Sequence, residues 1–171
     1  LKAVADTSLP HVKLIIGLLL YFDQVGQIKY DPITKQIRLV IFVKKLADTE
    51  FAKLRRLIHA HLKAHSQLAA SDCKVEIELV HNGPVDQIVV HRQLDLFVRK
   101  DLTIVIELIN QTLPAGAIIE NEILDLPDLI YPEELDTLAA DALADESKQV
   151  LTGFWHQGRL TVYPVTVPDQ P

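Results

Sequence analysis

The feature that most limits what this chain can fold into is the succession of hydrophobic periods between residues 36 and 126. Across Gln36–Lys44 the side chains of Ile37, Leu39, Ile41 and Val43 alternate with Arg38, Val40, Phe42 and Lys44, the period of two expected of a strand. From Asp48 to about Gln67 the period lengthens. Phe51, Leu54, Leu57, Ile58 and Leu62 make an apolar stripe, and Lys53, Arg56, His59 and Lys63 ride away from it, so a helix is expected with Asp48 or Thr49 at its cap. Alternation returns at Lys74–His81, followed by an Asn82-Gly83 turn signal. The return strand, 86–99, carries Ile88, Val90, Leu94, Leu96 and Val98 on one side and is broken only at Arg92. Asp101 then opens a helix bearing Leu102, Val105, Ile106 and Ile109, stopped near Pro114 and Gly116, with an extended reading as its competitor because Ile104, Val105, Ile106 and Ile109 are β-branched; Ala117–Leu126 reads as extended.

In order, these elements spell β-α-β-β-α-β, which defines the ferredoxin-like pattern of a four-stranded sheet with two helices on one face. The expected class is therefore α+β: a ferredoxin-like core over 36–126, with 1–35 and 127–171 as covering additions within a single domain of 171 residues. The additions comprise an apolar segment at 10–24, read as a buried helix with a strand over 12–22 as its competitor. They also include Gln27–Tyr30, hairpinned to the strand at 36–44, a helix started by Pro132-Glu133-Glu134, and a hairpin of Val150–Trp155 with Arg159–Val167. Strands 36–44 and 86–99 are expected to be central, adjacent and parallel.

That expectation generates two candidate sites. Phe42 and Phe97 would share the sheet face opposite the helices, near Arg38, Lys44, His91 and Arg99, an arrangement able to stack single-stranded bases and hold phosphates. The competing reading makes this face a second core under the segment 10–24, the acidic helix or the last hairpin. Lys44-Lys45 and Arg99-Lys100 would also meet at one corner beside two helix N-termini. Such a corner favours anions, the chain's own acidic 120–146 stretch included.

Charge is unevenly distributed. Residues 1–100 hold 15 Lys/Arg and 10 Asp/Glu, whereas residues 101–171 hold 2 and 13, within a net charge of −6. Such polarity steers partners without naming a chemistry. His61 and His65 are spaced to share a helix face, making them the metal candidates, but no carboxylate stands beside them to complete a zinc-hydrolase pattern. Glu120, Glu122, Asp125 and Asp128 lack the glycine turn of a calcium loop. No Gly-x-Ser-x-Gly, phosphate-binding loop or Gly-x-Gly-x-x-Gly occurs. Trp155 and His156 sit at a hairpin tip, where a tryptophan serves either as an interface anchor or as a core plug.

The single cysteine, Cys73, permits no internal disulfide and suits a reducing, cytoplasmic setting. The apolar run Leu14–Phe22 is too short to span a bilayer, so no membrane partner is expected. Leu1 opens a chain without methionine, which leaves open that it belongs to a longer protein. The expected function is a non-catalytic intracellular binding or regulatory domain that acts through protein contacts or self-association, without a cofactor. The alternatives are an anion or single-stranded nucleic-acid binder and, behind it, a metal-dependent enzyme.

Overall fold

A computed structural model describes residues 5–69, 75–123 and 132–166. The class is α+β. Helix α1 (Pro10–Tyr21) leads into strands β1 (Gln27–Asp31) and β2 (Gln36–Val43), then helix α2 (Asp48–Ala69) and strands β3 (Glu76–Asn82) and β4 (Val85–Gln93). A short 3₁₀ turn, Leu94–Leu96, precedes α3 (Arg99–Thr112) and α4 (Glu134–Ala144), and β5 (Leu151–His156) and β6 (Arg159–Pro164) close the series. The six strands form one antiparallel sheet in the order β3-β4-β2-β1-β5-β6.

Turn chemistry sets the hairpins. Asp31 accepts the backbone N–H groups of Ile33 (2.9 Å) and Thr34 (3.4 Å), and Lys35 closes that turn at φ 53°. Between β5 and β6 the two loop residues Gln157 and Gly158 have φ of 49° and 73°, as a type I′ turn requires. Between β3 and β4 only Gly83 takes a positive φ, 61°. Pro84 follows it with the negative φ that its ring imposes, so the Asn-Gly signal resolves into a Gly-Pro turn of the II′ kind.

The inner sheet face carries Ile28, Tyr30, Ile37, Leu39, Ile41, Ile88, Val90 and Leu151, all buried. Pairs such as Ile28↔Leu39 and Ile41↔Ile88 hold the register, because a slip of one residue would turn this set outward. Helix α1 confirms the helical reading of 10–24. It is apolar nearly all round because it lies between the β1–β5 half of the sheet and α4, so that Val12, Leu14, Ile15, Leu18 and Leu19 are at most 1% exposed. Gly153 permits this approach: a Cβ there would stand 2.3 Å from Ile15 Cγ2 and 3.2 Å from Leu19 Cδ1.

Several expectations are corrected. β2 and β4 are neighbours but antiparallel, with Gln36 opposite Gln93 and Val43 opposite Asp86. A parallel pair was excluded by the connections: the crossover through α2 sets β3 in the same direction as β2 with β4 between them, and the two-residue hairpin reverses the chain into β4. The return strand stops at Gln93, and residues 94–98 leave the sheet through the 3₁₀ turn. The extended segment after α3 contributes one antiparallel bridge, Val43↔Ile118, fastened by Lys44 N–H to Ala117 O (2.8 Å) and Ile119 N–H to Phe42 O (2.9 Å). Residues 124–126 of it lie outside the described residues. Among the described residues this segment adds no full fourth strand beside β2, and β1 with the β5–β6 hairpin extends the sheet on that side. The expected lids also go elsewhere, since α1 and α4 pack on the same face as α2 and α3. No described helix is long and apolar enough to cross a membrane.

Candidate functional site

The outer face of the sheet can be mapped from the strand registers, since directly paired residues share a face. One row runs Glu76, His91, Arg38, Lys29, Thr152, Tyr163 across all six strands; the next runs Glu78, Val89, Val40, Gln27, Phe154, Thr161. A third holds Val80, Gln87, Phe42, His156 and Arg159. Among the described residues no helix lies over this face, and Arg38, Lys29, Glu76, Glu78, His156 and Arg159 are exposed. Val40 and Val89 are nonetheless only 4% and 6% exposed, and Thr152 2%. Phe42 packs against Gly26, where a Cβ would stand 2.5 Å from its ring. Phe154 and Tyr163 meet edge to face with centroids 5.4 Å apart.

Of the residues proposed from sequence for this face, Phe42, Arg38 and His91 are there. Phe97 is not: it follows the 3₁₀ turn and is buried in the core. The alternation that placed it outward was counted through residues that are not strand. Phe154, Tyr163 and Lys29 lie on this face as well, unforeseen because nothing local showed that β5 and β6 join the same sheet. His91 Nε2 stands 3.5 Å from Glu78 Oε2.

The basic corner does not assemble. Lys44-Lys45 follow the Val43 end of β2, whereas Arg99-Lys100 follow the Gln93 end of β4, and the antiparallel pair separates those ends by roughly 25 Å. Each group has its own surroundings. Lys45 Nζ lies 3.1 Å from the fully buried carboxylate of Asp86. Arg99 donates from its backbone to Asp136 Oδ1 of α4 (2.8 Å) and from Nη1 to Tyr21 Oη (2.9 Å), with its guanidinium 5.5 Å from the Tyr21 ring centroid. The cap of α3 is thus Asp136 from the acidic segment, not Asp101.

Asp86 organises the opposite end. Its Oδ2 accepts Leu46 N–H at 2.9 Å, and His81 Nδ1 stands 3.1 Å from its Oδ1. The other ring nitrogen of His81 lies 2.9 Å from Asp48 Oδ1. The Leu46 N–H, together with Lys45 and His81, holds the Asp86 carboxyl down to about 2. The Asp48 and Asp86 carboxylates push the His81 imidazole above its ordinary value of 6.5. Asp48 therefore joins α2 to the β3–β4 hairpin instead of capping its own helix.

A second polar cluster lies inside. Arg92 and Asp101, 1% and 4% exposed at their side chains, are joined Nη2 to Oδ2 at 2.9 Å. Arg92 also donates to Leu96 O, closing the 3₁₀ turn. His65 Nε2 is 3.6 Å from Asp101 Oδ1, whereas His61 is exposed on α2. Among the described residues no group of three or more His, Cys, Asp or Glu is placed to hold a metal ion. Cys73, Asp125 and Asp128 lie outside them.

α4 is fastened at its C-terminus, where Lys35 Nζ reaches the carbonyls of Leu143 (3.2 Å) and Asp145 (3.1 Å), a favourable place for a cation. Tyr30 Oη donates to Ala142 O (3.4 Å), and burial, then Asp145 and Asp31, push its hydroxyl up to about 12. His11 Nδ1 lies 3.0 Å from Asp145 Oδ2, whose carboxyl is held low first by the Ser147 N–H and then by His11. Trp155 faces the helices and packs half-buried against the core, while His156 is exposed beyond it. An open concavity of about 390 Å³ lies beside the α1–β1 loop, among Asp23, Gln24, Asn110, Ile118 and Glu120. Its wall is set by Asn121, which donates to the carbonyls of Asp23 (2.6 Å) and Val25 (3.0 Å).

Comparison of the chain with protein-family models, curated proteins and solved structures returns no match.

Proposed function

We propose that this chain is a non-catalytic binding domain that works by contact through the outer face of its sheet, with a protein as the first class of partner. One observation carries the reading: among the described residues the face has no second layer, yet it presents the half-buried Val80, Phe42 and Phe154 around the buried Val40 and Val89. Sheets of this size ordinarily bury both faces or leave one plainly polar. An apolar centre with a polar rim is the anatomy of a contact surface. The buried polar clusters are engaged in the fold: Asp86 holds the segment leading into α2, Asp101 neutralises Arg92, and Asp145 engages His11.

The test is site-specific photocrosslinking in the native host, with the reactive group at position 38 on the face or at position 56 on α2. A discrete adduct is expected from position 38 alone. Equal adducts from both positions, or none from position 38 in a folded variant, would end this reading.

A further inference from the structure

From Tyr163 on β6 to His91 on β4, the outer face has cations and no acid within its two central rows. Lys29, Arg38 and, at the corner, Arg159 supply the positive charge, with His91 and His156 beside them. The acids Glu76 and Glu78 stand on the edge strand β3, where Glu78 Oε2 lies 3.5 Å from His91 Nε2. Asp31, in the row below, is occupied by its own turn. In a chain of net charge −6 this is a local reversal of sign. It is also uncompensated: neither Lys29, Arg38 nor Arg159 has a carboxylate partner among the described residues, and the one side-chain bond of this set, Arg38 Nε to Gln36 Oε1 at 3.1 Å, leaves the guanidinium charge unneutralised. Three half-buried rings lie in the same field, Phe42 on β2, Phe154 on β5 and Tyr163 on β6. Phe42 and Phe154 are two strands and one row apart, roughly 12 Å at ordinary sheet spacings.

We propose that this five-strand region, from β4 to β6, binds single-stranded nucleic acid, its bases against Phe42, Phe154 and Tyr163 and its phosphates on Lys29, Arg38 and Arg159. The proposal rests on the reading that the outer face is the working surface, and adds a ligand class to it. The physical case is the pairing of two features. Every base offers a π-face to a ring, whatever the sequence, and flanking cations gain by replacing the counter-ions of the phosphates. Glu76 and Glu78 repel phosphate, so the strand would run over β2, β1 and β5 and stop short of β3. An acidic protein segment would satisfy the cations but leave the rings without stacking partners.

Fluorescence anisotropy of the intact chain with labelled oligo-U and oligo-dT tests this. With three phosphate contacts the salt slope is about −2, so affinity should fall roughly 20-fold between about 50 and 200 mM salt. Lys29→Glu with Arg38→Glu should abolish binding. Phe154→Ala should weaken it by at least about five-fold with the slope unchanged. Lys53→Glu with Arg56→Glu, on the basic face of α2, should leave it intact. The proposal fails if no binding appears at low salt, if the α2 pair abolishes it while the face pair does not, or if Phe154→Ala and Tyr163→Ala both fold and bind normally. It also fails if poly-glutamate competes as well as the oligonucleotide, which would assign the face to acidic proteins.

Thiol labelling of Arg38→Cys in a Cys73→Ser background separates the two readings. A reactive thiol with no oligonucleotide binding overturns the ligand alone. A protected thiol overturns the open face and both readings with it.

Discussion

Replacing Arg92 by methionine removes the cation from a pair whose side chains are 1% and 4% exposed. The Asp101 carboxylate is then left in the core, with the partly exposed His65 ring 3.6 Å away. The Leu96 carbonyl loses its guanidinium donor in the same step. Breaking one side of a buried ion pair costs about 3–5 kcal/mol, because desolvation of the survivor is no longer offset. For a chain of 171 residues that corresponds to a fall in Tm of roughly 6–20 °C, at about 2–4 °C per kcal/mol. Arg92→Met and Asp101→Leu together should recover most or all of the loss, since a packed apolar pair carries no desolvation cost. Urea unfolding of both single variants and the double variant measures this as a cycle. A loss below about 1 kcal/mol for Arg92→Met, or a double variant as unstable as the sum of the singles, would refute the assignment of this pair as buried and mutually dependent.

Gly153→Ala would force its new methyl against Ile15, Leu19 and Val162. A cost of about 1–3 kcal/mol is expected from overpacking, and thermal melts measure it. The Asp86 carboxyl lies below its unfolded value, so its contribution is present above pH 3.8 and is lost as pH falls toward about 2. The raised His81 acts in the opposite sense: its contribution is complete below pH 6.5 and is lost as pH rises through the folded-state value. NMR titration should place the His81 value above that of a model histidine, and Asp48→Asn should lower it. Lys35→Ala removes the cation at the C-terminus of α4 and should cost about 0.3–1 kcal/mol, with faster amide exchange confined to α4.

The elements were legible because each depends on neighbours in sequence. The stripe of Phe51, Leu54, Ile58 and Leu62 fixed α2, and Asp31 and Gly158 fixed two of the turns through their own backbone chemistry. Phe42, Arg38 and His91 were legible on the outer face for the same reason, since parity within a strand is local. Phe97 was not, because parity carries no meaning beyond Gln93, where the chain turns out of the sheet.

What the residue order determined by itself was the periodicity of each segment, the uneven charge and the identity of most core side chains. Only the tertiary structure decided that β2 and β4 run in opposite directions, that Lys45 and Arg99 therefore stand at opposite ends, and that Phe154 and Tyr163 share a face with Phe42. Strand direction and sheet order are set by which nonlocal pairs bury the most apolar surface with every backbone group satisfied. That competition is decided among segments a hundred residues apart, such as β1 and β5, and leaves no mark on either one alone.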